Sequence, residues 1–121
     1  MKTFDITYTE MGNVLLINIE GELDARTCLK ADYGFQRLDI SGVHAILIDC
    51  QELSYVSSAG IGVLLSIYHV CMQKGILLLL HGLQPKVKNV LEILGLEKVM
   101  TIKENLDEAL DLVKEKIPAY I

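Results

Sequence analysis

The sequence predicts an α/β fold: a mixed β-sheet of about five strands covered by about four helices. Three observations carry this. Two short apolar runs, Val43 to Ile48 and Ile76 to Leu80, read as central strands covered on both faces. Between them, Ile61 to Met72 is strongly apolar and long enough for a helix. Ahead of them, Phe4, Ile6 and Tyr8 alternate with Asp5, Thr7 and Thr9, the period of a half-buried strand.

In chain order, Met11-Gly12-Asn13 is a turn and Val14 to Ile19 a second strand, so the chain opens on a β-hairpin. Gly21-Glu22-Leu23-Asp24 follows it. Asp24 is placed to cap a helix from about Ala25 to Leu38. Ser41-Gly42 breaks the chain before the third strand. The central helix runs from about Ser58 to Lys74 and stops at Gly75, a good residue just past a helix end. Apolar side chains go nearly all the way round it, so it is deeply buried or shows one face to a partner. After the strand Ile76 to Leu80, Pro85 opens a helix to about Leu94, and Gly95 stops it. Leu96, Val99, Met100 and Ile102 make a connector and a short final strand. Asn105 caps a last helix, Leu106 to Lys116, with Asp107 and Glu108 in its first turn and Lys114 and Lys116 in its last. Leu106, Ala109, Leu110 and Val113 face inward, and Pro118 ends it.

The 121 residues suit one domain, 1–121, and the 51% apolar content supports a core. No window approaches about 18 uninterrupted apolar residues, so no membrane span is expected. The N-terminus lacks a charged-then-apolar leader, which makes a cytoplasmic location the expectation. The net charge of −5 argues against direct nucleic-acid binding but permits a basic protein partner. Cys28, Cys50 and Cys71 are too scattered for a disulfide framework or a zinc motif and read as buried, reduced thiols. His44, His69 and His81 are equally scattered, so no metal site is expected.

The chemistry concentrates at Ser57-Ser58-Ala59-Gly60, between the strand that ends on Asp49 and the long helix. A helix start offers free N–H groups and the positive end of a macrodipole, so it can hold an anion. A phosphate on a serine there is an anion the chain carries itself. Spacing alone equally allows both serines to be caps, worth about 1 kcal/mol each. A nucleophilic serine is disfavoured: Gly-x-Ser-x-Gly is absent, and no base is signalled.

The stretches Leu47-Ile48-Asp49, Leu53-Ser54-Tyr55-Val56 and Ser58-x-Gly60-Ile61-Gly62-Val63-Leu64 resemble the STAS family, the domain of bacterial anti-sigma factor antagonists. Gly21-x-Leu23-Asp24, which the resemblance makes a loop into the first helix, and Val87-x-x-Val90-Leu91-x-x-x-Gly95-Leu96 match as well, so the resemblance covers nearly the whole chain. Ser57 stands where the family has Asp, and Ala59 where it has a hydroxyl residue. The resemblance implies partner switching. Unphosphorylated, such a domain binds an anti-sigma factor that is also a serine kinase, and so frees a sigma factor. The kinase phosphorylates the domain, here at Ser58, and ends the complex; a serine phosphatase restores it. Asp24, Ser57, Ser58, Gly60 and Ile61 are the implied partner-binding residues. ATP belongs to the kinase, so the chain is assigned no cofactor and no catalysis of its own. The alternatives are a non-phosphorylated STAS scaffold or subunit of a stressosome or transport complex, and a small-ligand or nucleotide-binding domain.

Overall fold

The computed structural model describes residues 4–117. Its elements, in order, are β1 (Asp5–Met11), β2 (Val14–Leu23), α1 (Cys28–Gln36), β3 (Ala45–Asp49), β4 (Leu53–Val56), α2 (Ser58–Lys74), β5 (Leu77–His81), α3 (Pro85–Ile93), β6 (Thr101–Lys103) and α4 (Leu106–Lys116). A single 3₁₀ turn, Leu96–Lys98, bridges α3 and β6.

β1 and β2 form the antiparallel hairpin, with Asp5 opposite Glu20 and Met11 opposite Val14. The other pairings are parallel, in the order β1-β2-β3-β5-β6. β4 also pairs with β2, which raises the expected five strands to six. β2 is long enough for two partners on one side. Its Val14 to Asn18 stretch takes β3, and Gly21 to Leu23 takes β4. The change of partner falls at Gly21, where φ is 99° and the register shifts. A positive φ favours glycine, which has no Cβ to clash. The stretch Gly21 to Leu23, expected as a loop, is therefore the second half of a bulged strand.

The sheet is covered on both faces, which is why β3 and β5 read as unbroken apolar runs. Leu15, Ile17, Ile46, Ile48, Leu78 and Leu80 pack under α1, α2 and α3. Val14, Ala45, Leu47 and Leu79 pack under Ala109 and Val113 of α4. Each fully buried Leu or Ile contributes about 1.5–3 kcal/mol. In α2 the inward stripe is Ile61, Val63, Leu64, Ile67 and Cys71, whereas Met72 is exposed. No helix of the described residues is long and apolar enough to cross a membrane.

The helix ends follow the expected chemistry. Asn105 Oδ1 accepts the Glu108 N–H at 2.9 Å, and Gly75 takes the left-handed conformation, φ 68°, past α2. Pro118, expected to end α4, falls outside the described residues. Two expectations change. Tyr8 is exposed rather than inward. Asp24 does not cap α1, which starts later, at Cys28, with Thr27 at the cap position. Cys50 and Cys71 are buried and Cys28 is half-buried. Burial pushes the Cys71 thiol up to about 11 and Cys50 further, so both stay protonated near neutral pH.

Candidate functional site

The site is built where β2 ends against the start of α2. β4 runs parallel to the end of β2, with Val56 beside Leu23, and delivers the chain to Ser57. The Ser57 N–H donates to the Leu23 carbonyl at 3.0 Å. Ser57 is extended, φ −95° and ψ 179°, and its Oγ accepts the Gly60 N–H at 3.4 Å. Ser57 is therefore the cap. Ser58 is the first residue of the helix, and it is exposed. Its hydroxyl makes no hydrogen bond among the described residues. No acidic residue lies in the first turn of α2, so the positive end of its dipole is not offset from within the helix.

Gly60 and Ile61 play a different part. Both are buried, Ile61 in the main core. A Cβ on Gly60 would run into the Leu23 carbonyl oxygen and lie 2.9 Å from the carbonyl carbon. Glycine is what lets the helix start close onto the strand end. These two residues hold the site in place and offer a partner almost no surface of their own.

Asp24 belongs to a tight corner beside them. Its Oδ1 accepts the Arg26 N–H at 2.9 Å. Arg26 Nη2 donates to Asp24 Oδ2 at 2.7 Å and to Glu22 Oε1 at 2.8 Å. Thr27 Oγ1 donates to the Glu22 carbonyl at 2.7 Å and accepts the Asp24 N–H at 3.0 Å. Arg26 draws the carboxylate into this turn and away from the helix end, so Asp24 cannot cap α1. Glu22 and Asp24 flank Leu23, whose carbonyl holds Ser57, so corner and serine share one rim of the molecule. Tyr55, 45% exposed, stands on the same rim as the register partner of Glu22. Arg26 and Thr27 were not singled out from the sequence, although Glu22 and Arg26 have the i,i+4 spacing of an ion pair.

The hydrogen bond from the Arg26 guanidinium holds the Asp24 carboxyl below its ordinary value of 3.8. A carboxyl lowered in the fold adds stability that is complete above the unfolded value and lost as pH falls through the folded one. Asp24→Asn should therefore be less stable than the wild type at pH 6, with the gap closing below about pH 4. Chemical unfolding at a series of pH values reads this directly. A gap of constant size would contradict it.

The fold and the site together define a mixed-sheet α/β domain that presents a serine hydroxyl at the start of its central buried helix. A STAS domain match spans residues 5–109, and the chain belongs to the STAS domain family. It is 32% identical over 101 residues to the anti-sigma F factor antagonist of Paenibacillus polymyxa, covering 80% of this chain and 84% of that one. It is 31% identical over 87 residues to the anti-sigma-B factor antagonist of Listeria monocytogenes, covering 72% and 76%. The Bacillus cell fate determinant SpoIIAA, solved in its phosphorylated form, has the same fold. Its TM-score is 0.64 at 22% identity, over 92% of this chain and 99% of that one.

Proposed function

We propose that this chain is an anti-sigma factor antagonist that works by partner switching, with Ser58 as its phosphate acceptor. It binds an anti-sigma factor that is also a serine kinase while Ser58 is unmodified. It leaves that partner once Ser58 is phosphorylated, and a serine phosphatase returns it to the binding form. The whole cycle runs in the cytoplasm, with residues 1–121 acting as one module. The chain is the kinase's substrate and takes no cofactor.

The observation that carries this reading is the division of labour between the two serines. Ser57 spends its hydroxyl on the helix cap, whereas Ser58 holds its own in solvent at the positive end of α2. The departure from the family at position 57 fits as well. Asp and Ser are both strong caps, so Ser57 keeps the helix start closed without the carboxylate. The two curated relatives are named as antagonists of anti-sigma factors, and SpoIIAA has a phosphorylated form.

Incubation with the candidate kinase and ATP, followed by intact mass and peptide mapping, tests the assignment. We expect one phosphate, on Ser58, and none on Ser57, whose oxygen is half-buried and engaged. Phosphate confined to Ser57 would contradict it. No phosphate from a kinase that binds the chain would favour the scaffold reading instead.

A further inference from the structure

A row of polar residues crosses the sheet near the carboxyl ends of its parallel strands. The register sets Thr7 beside Asn18, Asn18 beside Asp49, and Asp49 beside His81. Strand alternation puts all four on the face that carries α4, since Val14, Ala45, Leu47 and Leu79 of the same parity pack there. α4 covers the apolar part of that face. Where α4 begins, at Leu106, the polar row borders a cavity of about 180 Å³, lined by Thr7, Thr9, Asn18, Asp49, His81 and Leu106 among others. Open α/β sheets bind ligands just beyond the carboxyl ends of their strands, which is where this cavity lies.

His81 makes this more than a dent in the surface. It is 1% exposed, and neither ring nitrogen has a hydrogen-bond partner among the described residues. An unpaired buried polar group costs about 1–3 kcal/mol. A leucine would avoid that cost, so an imidazole in this wall calls for a partner. Burial holds His81 below its ordinary value, against the opposing pull of the Asp49 charge. A neutral imidazole offers one donor and one acceptor that point away from each other, so a ligand hydroxyl can pair with one of them. Asp49 has a further opening. Its Oδ1 accepts the Gln51 N–H at 3.0 Å, and its Oδ2 has no partner among the described residues. The Asn18 amide makes one long bond, 3.4 Å to Glu20 Oε1.

Charge and size narrow the ligand. Asp49 is the one carboxylate in the wall and no Lys or Arg lines it, so an anion is disfavoured and an ammonium is favoured. The volume takes about six water-sized groups at roughly 30 Å³ each, and it lies below the ~300 Å³ lower bound of typical drug-sized pockets. We propose that this cavity binds a small amino alcohol, with the ammonium on Asp49 Oδ2 and the hydroxyl on the His81 ring.

The test is an NMR titration of the isolated protein with 2-aminoethanol, following backbone amides and the His81 ring nitrogens at neutral pH. Ethylene glycol, which lacks the ammonium, and glycolate, which carries the wrong charge, run beside it. The expected result is saturable shifts centred on Thr7, Asn18, Asp49 and His81. Ethylene glycol should bind at least tenfold more weakly, and glycolate should leave these residues unmoved. Two variants guard the reading. Asp49→Asn should weaken 2-aminoethanol at least tenfold. His81→Leu, which removes both unpaired nitrogens and keeps an apolar filling, should abolish the shifts while remaining folded. Absence of saturable shifts, glycolate binding as well as 2-aminoethanol, or unchanged binding in both variants would overturn the proposal. The readout needs neither kinase nor anti-sigma factor, so its outcome is separate from that of the Ser58 reading.

Discussion

Ser58→Asp is expected to lose about a hundredfold in affinity for the anti-sigma partner while its melting temperature stays within about 5 °C of the wild type. The two halves of this result come from different environments. On the free protein, position 58 is exposed at the start of α2. A negative charge there gains about 0.3–1 kcal/mol from the dipole, and the cap is untouched because Ser57 supplies it. Stability therefore moves little. In the complex, the same charge must be taken out of water. An unmatched buried charge costs several kcal/mol, and each 1.4 kcal/mol is a factor of ten in affinity. Arg26, the cation of the neighbouring Asp24 corner, already pairs with Glu22 and Asp24. Asp carries one charge and a phosphoserine about −1.5 to −2, so the true modification should weaken binding further. Ser58→Ala should bind like the wild type and resist the kinase. Thermal unfolding and titration of each variant with the partner check both halves. A Ser58→Asp protein that unfolds, or that binds as tightly as the wild type, would show that interface charge is not the switch.

Gly60→Ala is expected to cost about 3 kcal/mol, the upper end of what overpacking produces, and to lower the melting temperature by roughly 15 °C. The new methyl meets backbone, since the Leu23 carbonyl carbon lies 2.9 Å away and its oxygen is closer still. That carbonyl also accepts the Ser57 N–H, so relief of the clash pulls apart the contact that seats the helix start. Gly62→Ala, two residues on, is the control. A Cβ there meets nothing within 4 Å, and alanine should gain up to about 1 kcal/mol of helix propensity. Calorimetry should find the two substitutions moving the melting temperature in opposite directions. Equal small changes would mean that the α2 start is not wedged against β2.

How much of this was legible beforehand depends on whether a feature is local. α2 and α4 were readable almost to the residue, because their ends are marked by residues that act within one turn: the Ser57 and Asn105 side chains and the left-handed backbone of Gly75. β3 and β5 were readable because burial on both faces leaves an unbroken apolar run. β4 was not. Its four residues pair with the last three residues of β2, across a register shift at Gly21. Asp24 looked like a cap because Asp before a helix usually is one; Arg26, two residues on, took the carboxylate instead. At the serine site, the family register put the expected phosphate on Ser58, whereas spacing alone left both serines open as caps. The 3.4 Å contact from the Gly60 N–H to the Ser57 hydroxyl makes Ser57 the cap. Gly60 and Ile61 were assigned to a contact surface, whereas their positions are interior ones that hold the helix start. His81 passed as one of three scattered histidines because the polar row it joins comes from four strands and is set by register alone.

The most direct measurement of the central claim uses one preparation in three states: unmodified, phosphorylated at Ser58 by the kinase, and dephosphorylated again. Each is titrated with the anti-sigma partner under the same salt and pH. The account predicts tight binding, then a loss of about a hundredfold or more, then full recovery. Equal affinity in all three states would contradict it.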